Sequence, residues 1–550
     1  RRLGRMTEDT DAIPPSPSGP SDDSNVIPVR PRQARYHAHF NDDEDPGFHA
    51  ASPDLYLNST ERDISLIHKL SFGLGHFYND LCASMWFTYM MIFFEKVLKL
   101  ESAHAGFLML IGQVVDAICT PLIGIASDSS ILPEFLNKRG HRISWHAIGT
   151  FFVTISFPFI FNKCLLCDDT TSELWNVAWF IPFISLFQFG WASVQISHLA
   201  LMPELSHLDS SRRTMNSLRY GATVLANLSV FGLLLYLLGN CSSSGSYIDS
   251  HDLSHFRTAG YIVVGVGLLS VIPFYMGTRE PAAEHDYSRM NSVTSHASQL
   301  SMVRMHWTSW FGHIQFYQIA LLYMLSRLYM NISQVYMPFY LTLVQNYNKT
   351  YVAIIPMVSF LASICVSTIL SIPVINQRLN KKILYVLALV LGTANCVAML
   401  FSLEGWKIFV VAAVLGVAQS ILLVTSLDIT ADLINKNTES GAFVYGAMSL
   451  ADKLSNGIAY QIIELLNPNC DPSSVSHVAC TSFYRTIMVY VPATCLILSF
   501  LVLLSLIPAE IGSRGRRTRT EDVLALIQEE SERQEREDEE ARVRAANNRN

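Results

Sequence analysis

The stretch "GHFYNDLCASMWFTY", residues 75–89, places His76, Asn79 and Asp80 inside a long run of mostly apolar residues. In a soluble protein such a run forms a buried core helix, whereas a bilayer is spanned by about 20 apolar residues. An ionisable side chain inside a bilayer is costly and usually has a function. The solvent around this segment therefore decides both the fold and the role of Asp80.

Composition identifies that solvent as lipid. The chain has 550 residues, of which 50% are hydrophobic and 15% are charged, whereas soluble domains carry about 25% charged residues. Charge is concentrated in residues 1–66 and 509–550, so the segment between them is strongly apolar. The sequence therefore predicts a membrane protein that crosses the bilayer many times.

Apolar runs of spanning length divide this segment into six spans, a longer polar loop and six more spans. We therefore predict an all-α membrane protein with twelve transmembrane helices in two six-helix halves. The predicted boundaries are a disordered cytosolic tail at 1–66, a first half at 67–277, a cytosolic loop at 278–312, a second half at 313–508 and a charged cytosolic tail at 509–550.

Loop composition predicts the orientation. If both termini are cytosolic, the cytosolic loops hold more Lys and Arg than the opposite loops, as the positive-inside rule requires. The glycosylation sequons at Asn240 and Asn348 then lie on the non-cytosolic side. An oxidising lumen permits disulfides there, and we predict one between Cys470 and Cys480. The pair Cys164 and Cys167 can instead bind a metal or exchange thiols.

Polar side chains recur within the spans. His76 and Asp80 are four residues apart and share a helix face, and other spans hold a comparable set: Gln113, Asp116, Thr120, Arg219, Lys453 and Asn456. A cavity between the halves, lined by these opposite charges, would bind a polar solute. The alternative is that residues near span ends, such as Asp128, Glu204, Arg219 and Asp432, lie at the water interface or fix loops.

A loop motif is more specific. "GIASD", Gly124 to Asp128, precedes "KRGHR", Lys138 to Arg142, with the insertion 129–137 between them. The pair resembles the loop signature of the major facilitator superfamily. An acid at a helix end and nearby arginines can hold the two halves in one conformation, which makes a conformational latch of Gly124, Asp128, Arg139, Gly140 and Arg142.

The stretches "KLSFGLGHFYNDL", "VVDAICTPLIGIASD" and "SLRYGATVLA" resemble the sugar–cation symporter branch of this superfamily, typified by melibiose permease. The resemblance implies that Asp80 and Arg219 bind substrate, that Asp116 is a cation-site acid and that Lys453 is the eleventh-span lysine. Thr120 stands where the family has its second acid, which argues against sodium coupling. We assign substrate binding to Asp80, His76, Arg219, Lys453 and Asn456, and ion or proton coupling to Asp116, Gln113 and Thr120.

The stretches "LVTSLDITADLI" and "SGAFVYGAMSLADK" are similar to an animal branch of the superfamily that is implicated in cysteine import into lysosomes and melanosomes. This resemblance implies cysteine as the substrate and a lysosome or melanosome as the location, with the plasma membrane as the alternative. "DVLALI" in the C-terminal tail has the form of an endolysosomal sorting signal built on Asp522, Leu526 and Ile527. Its alternative is the start of an amphipathic helix.

The predicted function is therefore secondary transport of a small polar solute by a protein whose partners are that solute, the lipid bilayer and sorting adaptors that bind the tail. Two alternatives stay open, a sugar–cation symporter and a non-transporting scaffold or receptor. We expect no enzymatic activity, cofactor, metal site or nucleic-acid partner, because the sequence shows no nucleotide fingerprint, nucleophile–base set or four-ligand metal spacing.

Overall fold

The computed structural model describes residues 64–127, 132–133, 137, 140–168, 170–206, 208–239, 247–280, 307–370, 380–434, 441–468 and 477–506. All described residues belong to one compact unit. Several predicted positions lie outside the described residues: Asp128, Arg139, Asn240, Cys470, Asp522, Leu526 and Ile527.

The described residues are predominantly α-helical, with no strand among them. The first helix group comprises α1 Leu66–Leu74, α2 Phe77–Ile92, α3 Ser102–Ser127, α4 His141–Ile160, α5 Glu173–Leu205, α6 Asp209–Gly239 and α7 Leu253–Gly277. The second helix group comprises α8 Ile314–Phe339, α9 Tyr351–Leu370, α10 Lys381–Ala398, α11 Lys407–Ile434, α12 Gly441–Leu465 and α13 His477–Leu506. Short π-helical turns, Phe93–Val97 and Tyr340–Val344, extend α2 and α8.

The predicted all-α membrane fold is confirmed. Within the described residues, nine helices are long and apolar enough to cross a bilayer. The other three spans contain α2, α8 and α12. The first predicted span is divided between α1 and α2, and α8 and α12 carry Arg327, Asp452 and Lys453.

Glycines set how closely the helices approach. A Cβ at Gly149 on α4 would lie 2.7 Å from the Gly190 carbonyl oxygen on α5, and a Cβ at Gly190 would lie 2.7 Å from the Gly149 carbonyl oxygen. Between the two helix groups, Gly106 of α3 packs on Glu464 of α12, and Gly457 packs on Gln113. Membrane helices associate through such small residues because lipid supplies no hydrophobic drive between them.

The loops bear on three further predictions. Cys164 and Cys167 form a disulfide with each other. Cys480 is also disulfide-bonded, but Cys470 lies outside the described residues, so the Cys470–Cys480 pairing stays a prediction. Asn348 is exposed, which is compatible with glycosylation.

The close packing where α4 crosses α5 predicts that one added methyl group lowers the stability of the protein. Gly190→Ala should destabilise the protein by about 1–3 kcal/mol, because the added carbon meets backbone that cannot move aside. Gly265→Ala on α7 is the control, since nothing lies within 4 Å of a Cβ there. Thermal unfolding in detergent would show a lower midpoint for Gly190→Ala alone, and equal midpoints for the two variants would contradict this account of the crossing.

Candidate substrate and coupling site

The first span is broken between α1 and α2, and two histidines hold the break. Backbone carbonyls freed inside a membrane must find donors within the protein. His198 Nε2 on α5 donates to the Phe72 carbonyl oxygen at 2.8 Å, and His146 Nε2 on α4 donates to the Gly75 carbonyl oxygen at 2.9 Å. A Cβ at Gly75 would lie 2.6 Å from the His198 ring. The break therefore depends on this glycine and these donors.

The break places His76 at the start of α2, one turn before Asp80. His76 Nδ1 lies 3.0 Å from Asp80 Oδ1, and Thr223 Oγ1 on α6 donates to Asp80 Oδ2 at 2.7 Å. Arg219 lies one turn before Thr223 and interacts electrostatically with Asp80. Arg219 Nε is buried and has no hydrogen-bond partner in the described part of the chain. We call Asp80, His76, Thr223 and Arg219 the α2–α6 site.

A second group joins the two helix groups. Lys453 Nζ on α12 lies 2.7 Å from Asp116 Oδ1 on α3 and donates to Thr120 Oγ1 at 2.7 Å. Thr120 Oγ1 donates in turn to Asp116 Oδ1 at 3.1 Å and to the Asp116 carbonyl oxygen at 2.8 Å. Asp116 and Lys453 are largely shielded from solvent, with side-chain exposures of 7% and 14%. We call these three residues the α3–α12 bridge.

The neighbouring residue, Asp452, faces a different cation. Its Oδ2 lies 3.1 Å from Arg327 Nε on α8, and Asn456 Nδ2 donates to its Oδ1 at 2.6 Å. Among the described residues, no hydrogen bond or ion pair joins the α2–α6 site to the α3–α12 bridge or to Asp452. The structure thus groups the predicted site residues in sets: Asp80, His76 and Arg219 together, Lys453 with Asp116 and Thr120, and Asn456 with Asp452.

The predicted latch lies at the end of the helices where α4 begins. Gly140 has φ +107°, a left-handed conformation that favours glycine, and a Cβ there would lie 2.1 Å from Glu280 Oε2. The same Glu280 oxygen accepts from Arg142 N at 2.9 Å, which satisfies a free N–H at the start of α4. Burial raises the pKa of Glu280, against the opposing hydrogen bonds from α4. The Arg142 guanidinium pairs with Glu204 at the end of α5. Gly124 is loosely packed, because a Cβ there would lie 4.0 Å from its nearest neighbour.

Sequence reasoning missed two buried glutamates, Glu95 after α2 and Glu464 in the last turn of α12. Each stands near the end of an apolar run, where an acid is usually taken to mark the water interface.

The residues able to hold a metal in the described part are Glu101, His104 and Glu173, whose ligand atoms lie within 4.8 Å of one another. His104 Nδ1 lies 2.9 Å from Glu173 Oε1, and Glu101 is exposed. These three side chains therefore form a surface cluster that is partly satisfied by its own contacts.

Comparisons with known proteins agree with this architecture. Residues 71–508 match the family model described as MFS/sugar transport protein. The chain is 40% identical over 471 residues to the mouse major facilitator superfamily domain-containing protein 12, covering 83% of this chain and 97% of that protein. The human protein of the same name is 41% identical over 458 residues, covering 81% and 94%. A D-xylose–proton symporter structure superposes with a TM-score of 0.55 at 14% identity, covering 79% of this chain and 96% of the symporter.

The α3–α12 bridge predicts a strong coupling between its two charges. Asp116→Asn or Lys453→Gln alone should cost about 3–5 kcal/mol, because each change leaves an unpaired buried charge. The double variant should recover most of that loss. A double-mutant cycle on unfolding midpoints in lipid measures the coupling.

The control for that cycle is the exposed pair Lys381 and Asp432, whose Nζ and Oδ1 lie 2.8 Å apart. Its coupling should stay at or below about 1 kcal/mol because solvent screens it. If Asp116 and Lys453 couple no more strongly than this exposed pair, the bridge does not hold the two helix groups together.

Proposed function

Because the chain belongs to the major facilitator superfamily, within the family of MFS/sugar transport proteins, we propose that this transporter carries cysteine across an endolysosomal membrane. Transport proceeds by alternating access, in which two helix halves rock about a site near the middle of the bilayer. The halves are residues 67–277 and 313–508, flanked by cytosolic tails at 1–66 and 509–550 and joined by the cytosolic loop 278–312.

The α2–α6 site suits a zwitterion. An amino acid presents an ammonium and a carboxylate, and charge-assisted hydrogen bonds to these groups are stronger than hydrogen bonds between neutral groups. Asp80 binds the ammonium of the substrate. Thr223 and His76 contact the Asp80 carboxylate and hold it in position. Arg219 binds the carboxylate through its buried guanidinium. The observation that carries this proposal is that Arg219 Nε lacks a partner in the described residues although Asp80 is close by.

The resemblance to the animal lysosomal branch implies cysteine among the zwitterions, and identity of about 40% to the mouse and human proteins over most of the chain supports that branch. Lysosomal or melanosomal residence is proposed on the same resemblance and on the tail motif at Asp522, Leu526 and Ile527. Asn240 and Asn348 are the proposed glycosylation sites. The plasma membrane is the alternative location.

Coupling is assigned to the α3–α12 bridge. Thr120 occupies the position of a second acid, so the bridge has one carboxylate, and that carboxylate already contacts Lys453 at 2.7 Å. A sodium ion prefers several oxygen ligands and would have to displace the ammonium. We therefore propose that sodium is not the coupling ion and that the bridge, with Gln113 beside it, responds to protons or to substrate. Asn456 acts through Asp452, whose carboxylate it contacts.

A sugar–cation symporter is the second candidate. The family description and the melibiose permease-like positions Asp80, Asp116 and Arg219 favour it. In that case Asp80 and Arg219 would bind hydroxyl groups, and Asp116 would carry the cation. A non-transporting scaffold or receptor fits less well because it would have little use for charges within the membrane.

Transport measurements test the zwitterion site. Uptake of radiolabelled cysteine into proteoliposomes should be lost or weakened roughly tenfold to a hundredfold in KM by Asp80→Asn and by Arg219→Gln, because a hydrogen bond to a charged group is worth about 1.5–3 kcal/mol. Asp432→Asn is the matched control, since Asp432 lies on α11 and pairs with Lys381 away from the α2–α6 site.

A substrate panel of sugars, amino acids and cysteine, run at two lumenal pH values, separates the candidates. Cysteine uptake that ignores sodium supports the proposal. Sugar uptake that follows a sodium or proton gradient would replace it with the symporter, and cysteine uptake unchanged by Asp80→Asn would reject the site.

A further inference from the structure

Two buried carboxyl groups meet between the helix groups at the end opposite the latch. Glu95 lies on the π-helical turn after α2, and Glu464 lies in the last turn of α12. Glu464 is 1% exposed, and the Glu95 side chain is 2% exposed. Asn467 and Tyr484 link the two carboxyl groups through hydrogen bonds. The pair therefore joins the first helix group to the second through two groups that can each carry an acid proton.

Protein donors satisfy three of the four carboxyl oxygens. Tyr336 Oη donates to Glu464 Oε1 at 2.7 Å, and Asn467 Nδ2 donates to Glu464 Oε2 at 2.8 Å. Tyr484 Oη donates to Glu95 Oε2 at 3.0 Å. Glu95 Oε1 is buried without a hydrogen-bond partner in the described part of the chain. A proton between the two carboxyl groups would satisfy this oxygen.

The charges around the pair also favour the binding of one proton. Lys96 Nζ lies 3.5 Å from Glu95 Oε2 and supplies a cation beside the pair. The groups that face the pair from α8 and α13 are the neutral Tyr336 and Tyr484. One ammonium balances one carboxylate, so the second carboxyl group is more stable when it is protonated. Two like charges that share one buried hydrogen-bond network in a low dielectric destabilise each other.

The element on the remaining side packs closely against the pair. Helix α3 presents Gly106, where a Cβ would lie 2.8 Å from Glu464 Cβ. The titratable residues at the start of α3 are Glu101 and His104, and His104 contacts Glu101 and Glu173. Close packing on this glycine keeps the two carboxyl groups away from water.

We propose that Glu95 and Glu464 form a proton-binding site that bridges the two halves and that its single shared proton holds this end of the transporter closed. The proposal rests on the alternating-access function above. When the site takes a proton from the compartment at this end, a hydrogen bond replaces a repulsion and the halves close. When the proton leaves, two carboxylates face each other and the same end opens.

Other contacts between the helix groups at this end explain why a single proton can shift the conformation of the transporter. Gln334 Nε2 on α8 donates to Thr88 Oγ1 on α2 at 3.0 Å, and the buried Lys349 Nζ lies 2.7 Å from Asp252 Oδ1 before α7. These contacts favour the closed arrangement in either protonation state. A carrier has only a few kcal/mol between its states, so the gain or loss of one buried charge pair is enough to shift the population. An acidic lumen would thereby favour return of the carrier to its cytosol-facing state.

Infrared spectroscopy of the full chain in lipid nanodiscs, without substrate, tests proton binding directly. The carbonyl stretch of a protonated carboxyl group should be present in acidic buffer and decrease in alkaline buffer. That band should be lost in Glu95→Gln and in Glu464→Gln and retained in Glu173→Gln, a partly exposed glutamate on the same side of the protein. A band that both buried variants retain in full would overturn the proposal.

Spin-label distances test the gate. Trp175→Cys in the first turn of α5 and Trp406→Cys just before α11 replace side chains that are 70% and 72% exposed, and Cys365→Ser removes an exposed native thiol. Alkaline buffer should lengthen the distance between the labels in the otherwise unchanged chain. Glu464→Gln should keep the short distance at every pH, because its amide N–H donates to Glu95 Oε1 in place of the proton. Glu95→Gln repeats the test if Glu464→Gln does not fold.

The outcomes separate this inference from the substrate assignment. No pH response in the unchanged chain, or a full pH response in both Gln variants, would overturn the proton site. Since no substrate is present, a failure of cysteine transport would leave the spin-label result standing. Conversely, cysteine transport with no pH-dependent distance would retain the proposed function and reject the gate.

Discussion

The ion pair between Asp116 and Lys453 is the contact on which the arrangement of the two helix groups depends. Either charge facing lipid at a helix centre would cost about 2.5–3.5 kcal/mol, so α3 and α12 are stable in the bilayer only when these faces meet. Gly106 and Gly457 allow the close approach that a 2.7 Å contact requires. Thr120 adds a hydroxyl that contacts both charges. The same residues therefore hold α3 against α12.

The intramembrane charges differ in how completely they are paired. The α3–α12 bridge and the pair of Arg327 with Asp452 bring each cation to a carboxylate. The α2–α6 site leaves Arg219 Nε without a hydrogen-bond partner among the described residues. A buried donor without an acceptor carries a desolvation cost, which a substrate carboxylate can relieve. Under the proposed function, the two charges of a zwitterion would bind at this site.

Opposite ends of the helices carry different polar contacts. At one end Glu280 caps α4 beside Gly140, and Arg142 pairs with Glu204, all within the first helix group and the residues that directly follow it. At the other end Glu95 and Glu464, which are linked through Asn467 and Tyr484, join the two helix groups. The first arrangement holds helices of one group in place. The second depends on a proton, so the compartment at that end influences which face of the transporter is open.

Sequence alone determined the membrane solvent, the helical spans, the family and most polar residues of the candidate site, because apolar length and intramembrane charge are local properties of the chain. It placed Asp80, Asp116, Arg219 and Lys453 in their spans, but it did not reveal that Lys453 contacts Asp116 or that Thr223 contacts Asp80. Only the tertiary structure decided those pairings, and only it showed Glu95 facing Glu464, since partners hundreds of residues apart are chosen by helix packing. Sequence position near a span end cannot distinguish an acid in water from one buried against another acid.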